Sequence, residues 1–207
     1  MAGNYSSQSY TFPNRVHIEK IINTTNLRSN AYGGNHVPLE DLSMTDLIIR
    51  NVSDGCDVAN LPKNFQKFLS ELLNNHTYQR VSFINCSINS MIALEHYLPL
   101  FAEYLHFGNG CIIRSFRNIH KAFENKNIKK IIIANPQPYL NVNRSPYGGL
   151  GVLKIKSLQR IQNVDDQDQT LNHYCDIINA YLDSPDRNLL ECQEELIENN
   201  LENFAVL

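Results

Sequence analysis

The groups with the most latent chemistry are five cysteines, Cys56, Cys86, Cys111, Cys175 and Cys192, and seven histidines. Cys86 would serve as a nucleophile if His96, His106 or His120 stood beside it as a base, because the thiolate and not the thiol attacks. The competing role is structural, since cysteine is among the side chains most often buried, and the sequence favours it. His96, His106, His120 and Cys111 can be drawn as a metal cluster, yet no pair has the spacing of a known ligand set. The odd number of cysteines and the lack of a Cys-x-x-Cys pair argue against a disulfide framework or a zinc ribbon and fit reduced thiols in a cytosol. Walker, Gly-x-Gly-x-x-Gly, Gly-x-Ser-x-Gly and His-Glu-x-x-His motifs are missing from the chain. No catalytic residue, metal or cofactor is therefore assigned. The balance leans away from an enzyme, with an enzyme of unfamiliar site as the third alternative.

Other groups invite binding rather than catalysis. Ser87 and Ser90 follow the stretch RVSFIN, where the N-terminus of a following helix would favour a phosphate. Tyr139 in NPQPYLNVN and Tyr78 in NHTY are similar to the tyrosine of NPxY peptides read by phosphotyrosine-binding domains. Tyr139 stands one residue too late, however, and NHTY lacks the proline, so both fit turns better.

Four strand-like pieces must position these groups: DLIIRN, RVSFIN, YLHFGN and KIIIAN. Each has the form apolar-x-apolar-x-Asn, ending at Asn51, Asn85, Asn109 and Asn135, with spacings of 34, 24 and 26 residues. Helix patterns lie between them. Leu61, Phe65, Phe68, Leu69, Leu72 and Leu73 share one face behind Pro62. Met91, Leu94, Leu98, Phe101 and Leu105 form a second stripe that Pro99 must kink or split. Phe116, Ile119 and Phe123 form a third behind Ser115. This alternation predicts an α/β domain with a parallel sheet over residues 37–157. Residues 1–36 read as a flexible polar arm around the apolar island VHIEKII, and RSPYGGLG as a turn-rich linker before a last or edge strand in VLKIKSLQRI. Residues 158–207 read as acidic helices, with 11 Asp and Glu against 2 Arg, where the first 157 residues hold 10 acids against 16 bases.

Recurrent strands at such periods are a signature of solenoids. VSFINCSI resembles the leucine-rich-repeat core L-x-L-x-x-C/N-x-L through Val81, Phe83, Cys86 and Ile88, and LHFGNGCI is similar through Leu105, Phe107 and Ile112, with Gly110 at the Cys/Asn position. The helical connections resemble the ribonuclease-inhibitor and cysteine-containing classes. That resemblance implies a one-sided repeat with helices behind a concave strand face. The alternative is a STAS-like or doubly wound α/β sheet. The stretch from DLIIRN to RVSFINCSINSMIAL also resembles the STAS layout, with Gly55 and Asp57 in its first turn and Ser87 or Ser90 as the regulatory phosphoserine.

The partner class follows from composition and from these alternatives. A net charge of −3 and a pI near 6.1 give no electrostatic case for nucleic acid. No window approaches the roughly 20 apolar residues of a membrane span. The expected function is non-enzymatic protein binding in a cytosol, with a STAS-like phosphorylation switch as the alternative. On the repeat reading the binding face holds Ile48, Arg50, Ser82, Ile84, His106, Gly108, Ile132 and Ala134, with Tyr139 beyond it. An asparagine-rich chain with irregular repeats is also similar to secreted bacterial effectors, which would make the partner a host protein. Oligomeric state and partner identity do not follow from the sequence.

Overall fold

Alternating apolar and polar residues commit one side of each strand to a core. The computed structural model describes residues 5–23, 44–134, 148–164, 168–186 and 188–207. Strands β1 (Tyr5–Thr11), β2 (His17–Asn23) and β3 (Met44–Arg50) pair antiparallel. From β3 the sheet continues in parallel through β4 (Tyr78–Ile84), β6 (Phe101–Phe107), β8 (Asn127–Ile133) and β9 (Arg160–Asn163). The result is a seven-stranded sheet whose strands lie in chain order. Two short strands, β5 (Ser87–Ile88) and β7 (Ile112–Ile113), form a separate parallel pair.

Two registered rows fill one face of the sheet. Ile18, Ile49, Phe83, Phe107 and Ile133 make one, and Leu47, Val81, Leu105, Ile131 and Ile161 the other; all are buried. The helical elements close over this face and share a single core with it. Helix α1 (Lys63–Asn74) buries Leu69, Leu72 and Leu73, and sets Phe65 and Phe68 against Phe12 and Tyr10, with ring centroids 5.9 and 4.8 Å apart. Next come a 3-10 segment (Met91–Tyr97), the short α2 (Ile119–Ala122) and a second 3-10 segment (Gly149–Lys154). Helices α3 (Gln169–Asp183) and α4 (Leu189–Glu198) complete the layer. Asp168 caps α3 by accepting from the Leu171 amide at 2.9 Å.

The phase break in RVSFINCSI has a backbone cause. Asn85 sits at φ 53°, in the left-handed region that asparagine tolerates better than most residues. The chain swings there, so Cys86 and Ile88 both enter the core while β5 leaves the main sheet. Asn51 at φ 64° and Gly110 at φ 74° make the same swing and bury Val52 and Cys111. The register shows one extra residue in the second case. Phe83 pairs with Phe107, whereas Ser87 pairs with Ile112. Cys111, and not Gly110, is therefore the counterpart of Cys86.

The α/β class and the mostly parallel sheet are as the sequence predicts, but the structure does not show a leucine-rich-repeat solenoid. Its connections are unlike one another, ranging from a twelve-residue helix to 3-10 segments, and two antiparallel strands close one end. Nor does the strand order reverse among the described residues, so those strands form no switch-point crevice of the doubly wound kind. Residues 5–11 and 17–23 of the expected arm are sheet strands joined by a short turn, with Val16 in the turn and Ile18 in β2 fully buried. The second helix stripe splits at Pro99: residues 91–97 are 3-10 and Phe101 opens β6. The linker reading fails over Gly148–Gly151, which are buried because Phe204 and the Arg117 backbone approach too closely for any side chain at Gly148 and Gly149. β9 joins the sheet, so residues 160–163 belong with the α/β domain.

Candidate functional site

The face opposite the helices is built from the alternate residues of the same strands. Three rows cross it at constant register. The first runs Asp46, Arg80, Tyr104, Lys130, Arg160. The second runs Glu19, Ile48, Ser82, His106, Ile132, Gln162. In the third, Arg50 pairs with Ile84, and Gly108, Ala134 and Val164 follow the last residues of the next three strands. Isoleucines 48, 84 and 132 are half-buried, as are His106 and Tyr104, while Arg80, Arg160 and Val164 are exposed.

The electrostatics divide this face. Toward β2 and β3 its charges are matched: Arg80 Nη2 lies 2.6 Å from Asp46 Oδ2, and Arg50 Nη2 lies 3.9 Å from Glu19 Oε2. Toward β8 and β9, Lys130 and Arg160 have no ion-pair partner among the described residues. Lys130 Nζ instead stands 6.0 Å from the centroid of the Tyr104 ring, within reach of a cation–π attraction. At the centre, His106 Nδ1 and Ser82 Oγ are 3.2 Å apart. The imidazole leans over Gly108, where a Cβ would come within 3.1 Å of its Cε1. Burial, and then the charge of Arg80, hold the His106 pKa below its ordinary value. The ring is thus neutral at pH 7, and the polar centre of the face adds no charge there.

The structure brings together Ile48, Arg50, Ser82, Ile84, His106, Gly108, Ile132 and Ala134. Tyr139 and the rest of NPQPYLNVN lie outside the described residues. Arg80, Tyr104, Lys130 and Arg160 were not among the expected face residues. Their signal is alternation itself, since each stands immediately before a buried strand residue; the phase breaks only further back, where Tyr78, Ala102, Ile128 and Leu158 are buried and two residues intervene before Val81, Leu105, Ile131 and Ile161. Alternation from Val81, Leu105, Ile131 and Ile161 does place this first row outward with Ser82, His106, Ile132 and Gln162; it falls outside the apolar-x-apolar-x-Asn form, which begins at the buried residue after it.

The catalytic candidates do not converge. The Cys86 thiol points into the core, and its hydrogen bond with the Cys111 thiol, followed by burial, pushes its pKa up, so it is no nucleophile at neutral pH. His106 is on the opposite face of the sheet, His96 is exposed on a 3-10 segment and His120 lies on α2. No group of three metal-ligating side chains occurs among the described residues. Ser87 lies within β5, its amide donating to the Val52 carbonyl at 2.9 Å. Ser90 precedes a 3-10 segment that it does not cap through its side chain. Tyr78 is buried and its hydroxyl donates to the Leu72 carbonyl. No helix among the described residues is long and apolar enough to cross a membrane. Comparisons with protein-family models, curated proteins and solved structures find no match for this chain.

Proposed function

We propose that this chain is a non-enzymatic protein-binding module acting in a cytosol, and that the open sheet face docks its partner. The observation that carries this is the face itself: three half-buried isoleucines, Ile48, Ile84 and Ile132, on adjoining rows with arginines, a tyrosine and a histidine. Apolar side chains beside Arg and Tyr on one rigid surface are the composition of a protein contact, in which a few anchors supply most of the energy. A sheet holds them without the entropy cost of ordering a loop.

The test is affinity capture from cells of the source organism with the wild-type chain and with Ile84→Asp/Ile132→Asp, quantified by mass spectrometry. The expected result is a protein recovered stoichiometrically by the wild type and lost with the folded double variant. A partner retained by that variant, but lost when exposed Ile92 on the helical side is changed to Asp, would overturn the proposal.

A further inference from the structure

We infer that the segment this face accepts is an acidic amphipathic helix lying across the strands, which rests on the protein-binding reading above and names the partner's chemistry. The first ground is charge. Glu19 and Asp46 neutralise Arg50 and Arg80, so the β2–β4 half is balanced. Lys130 and Arg160 are register partners on adjacent strands and face no carboxylate among the described residues. Among the described residues, the β6–β9 half thus holds two cations without an ion-pair partner, one of them, Lys130, beside the Tyr104 ring. A ligand carrying carboxylates completes that half as Asp46 completes Arg80.

The second ground is spacing. Neighbouring strands are about 4.8 Å apart, so Lys130 and Arg160 present their charges at about that interval across the sheet. Residues i and i+4 of an α-helix lie on the same side about 6 Å apart along its axis, within reach of two long, flexible cationic side chains at that interval. An extended segment returns every second residue, about 6.8 Å, and drifts off the row. Glutamates at i and i+4 of a crossing helix stand over Lys130 and Arg160 together. The third ground is the neighbouring apolar strip. Ile132 lies two residues along β8 from Lys130, and Val164 four residues along from Arg160, at 49% exposure. An apolar stripe beside the glutamates of the same helix covers them.

The probe is a fluorescent, capped peptide of about 18 residues, long enough to hold helix, with Glu at i, i+4 and i+8 and Leu on the adjoining stripe. Its Gln, Lys and proline-interrupted versions and a uridine oligonucleotide are titrated beside it against the full chain by anisotropy. Each carboxylate is expected to tighten binding about two- to fivefold over Gln, an advantage that falls with salt. Lys130→Glu/Arg160→Glu is expected to transfer the preference to the Lys peptide. Equal binding of Glu and Gln peptides, or a Glu preference that survives the charge reversal, overturns the acidic partner. Equal binding of the proline-interrupted peptide overturns the helix. If Ile132→Asp abolishes binding of the Gln peptide in those cases, the protein-binding face stands and only the acidic helix falls. Should that variant melt early, Val164→Asp serves instead. If neither variant changes any peptide's binding, or the oligonucleotide binds this face most tightly, both fall.

Discussion

One methyl group at Gly149 should loosen the whole C-terminal cap. A Cβ there would stand 2.7 Å from the Phe204 carbonyl oxygen and 3.1 Å from Phe204 Cα, so backbone must move. Phe204 stacks on Tyr174 at 4.4 Å, and the Tyr174 hydroxyl donates to the Gly149 carbonyl at 2.8 Å. Moving either segment therefore strains a fully buried hydroxyl. Overpacking of this kind costs about 1–3 kcal/mol, and a buried hydrogen bond left unmade about 1–3 kcal/mol more. For Gly149→Ala the sum is about 2–6 kcal/mol. At about 2–4 °C per kcal/mol for a chain of this size, the melting temperature should fall by about 4–24 °C. Urea unfolding and calorimetry measure both quantities, and Tyr174→Phe isolates the hydrogen bond, at about 1 kcal/mol. A Gly149→Ala variant within about 1 °C of wild type would refute the close packing of residues 148–154 against the C-terminus.

Three further outcomes follow from particular residues. Ile18→Ala, in a fully buried site on β2, should cost about 2–4 kcal/mol in urea unfolding; no loss would mean that β2 is not part of the core. Asn85→Ala should cost about 1–2 kcal/mol because of its positive φ, and Asn85→Gly should cost less; equal losses would remove the left-handed turn as the cause. The pKa of His106 is lowered on folding, so its neutral form is the one the fold favours and the unfolded chain binds the extra proton. Its contribution is full above the ordinary histidine pKa and is lost as pH falls below that value toward the folded pKa. His106→Gln should flatten the fall of the melting temperature over that acidic range, and an unchanged pH profile would count against the burial of the ring.

Much of the sheet was legible because its signal is local. RVSF and YLHF alternate, DLIIR and KIII are short apolar runs, and Asn51 and Asn85, both at positive φ, mark where the chain turns out of the sheet. The asparagine also misled. Aligning Asn85 with Asn109 set Gly110 opposite Cys86, since an inserted residue after Phe107 leaves no trace in the apolar pattern. The hairpin of β1 and β2 was missed because YSSQSYT is a polar edge strand whose partner, HIEKIIN, looks like an isolated island until β3 is placed beside it. Gly148 and Gly149 read as a linker because glycine marks both turns and close backbone approach, and only Arg117 and Phe204 decide between them. In the candidate site, Ile48, Ser82, His106 and Ile132 were legible as outward residues by alternation. Arg80 and Lys130 are outward by the same alternation but fell outside the repeat form, which starts at Val81 and Ile131, and Arg160 fell outside it because VLKIKSLQRI read only as a last or edge strand.

The most direct test of the binding face is site-specific photo-crosslinking in cells of the source organism. A photoreactive residue replacing Ile132 should yield one discrete crosslinked protein that disappears when Ile84→Asp is added, while the same group at Ile92 should yield none. Equal crosslinking from positions 132 and 92, or a product at 132 that Ile84→Asp leaves unchanged, would contradict the assignment of the open sheet face as the site of partner binding.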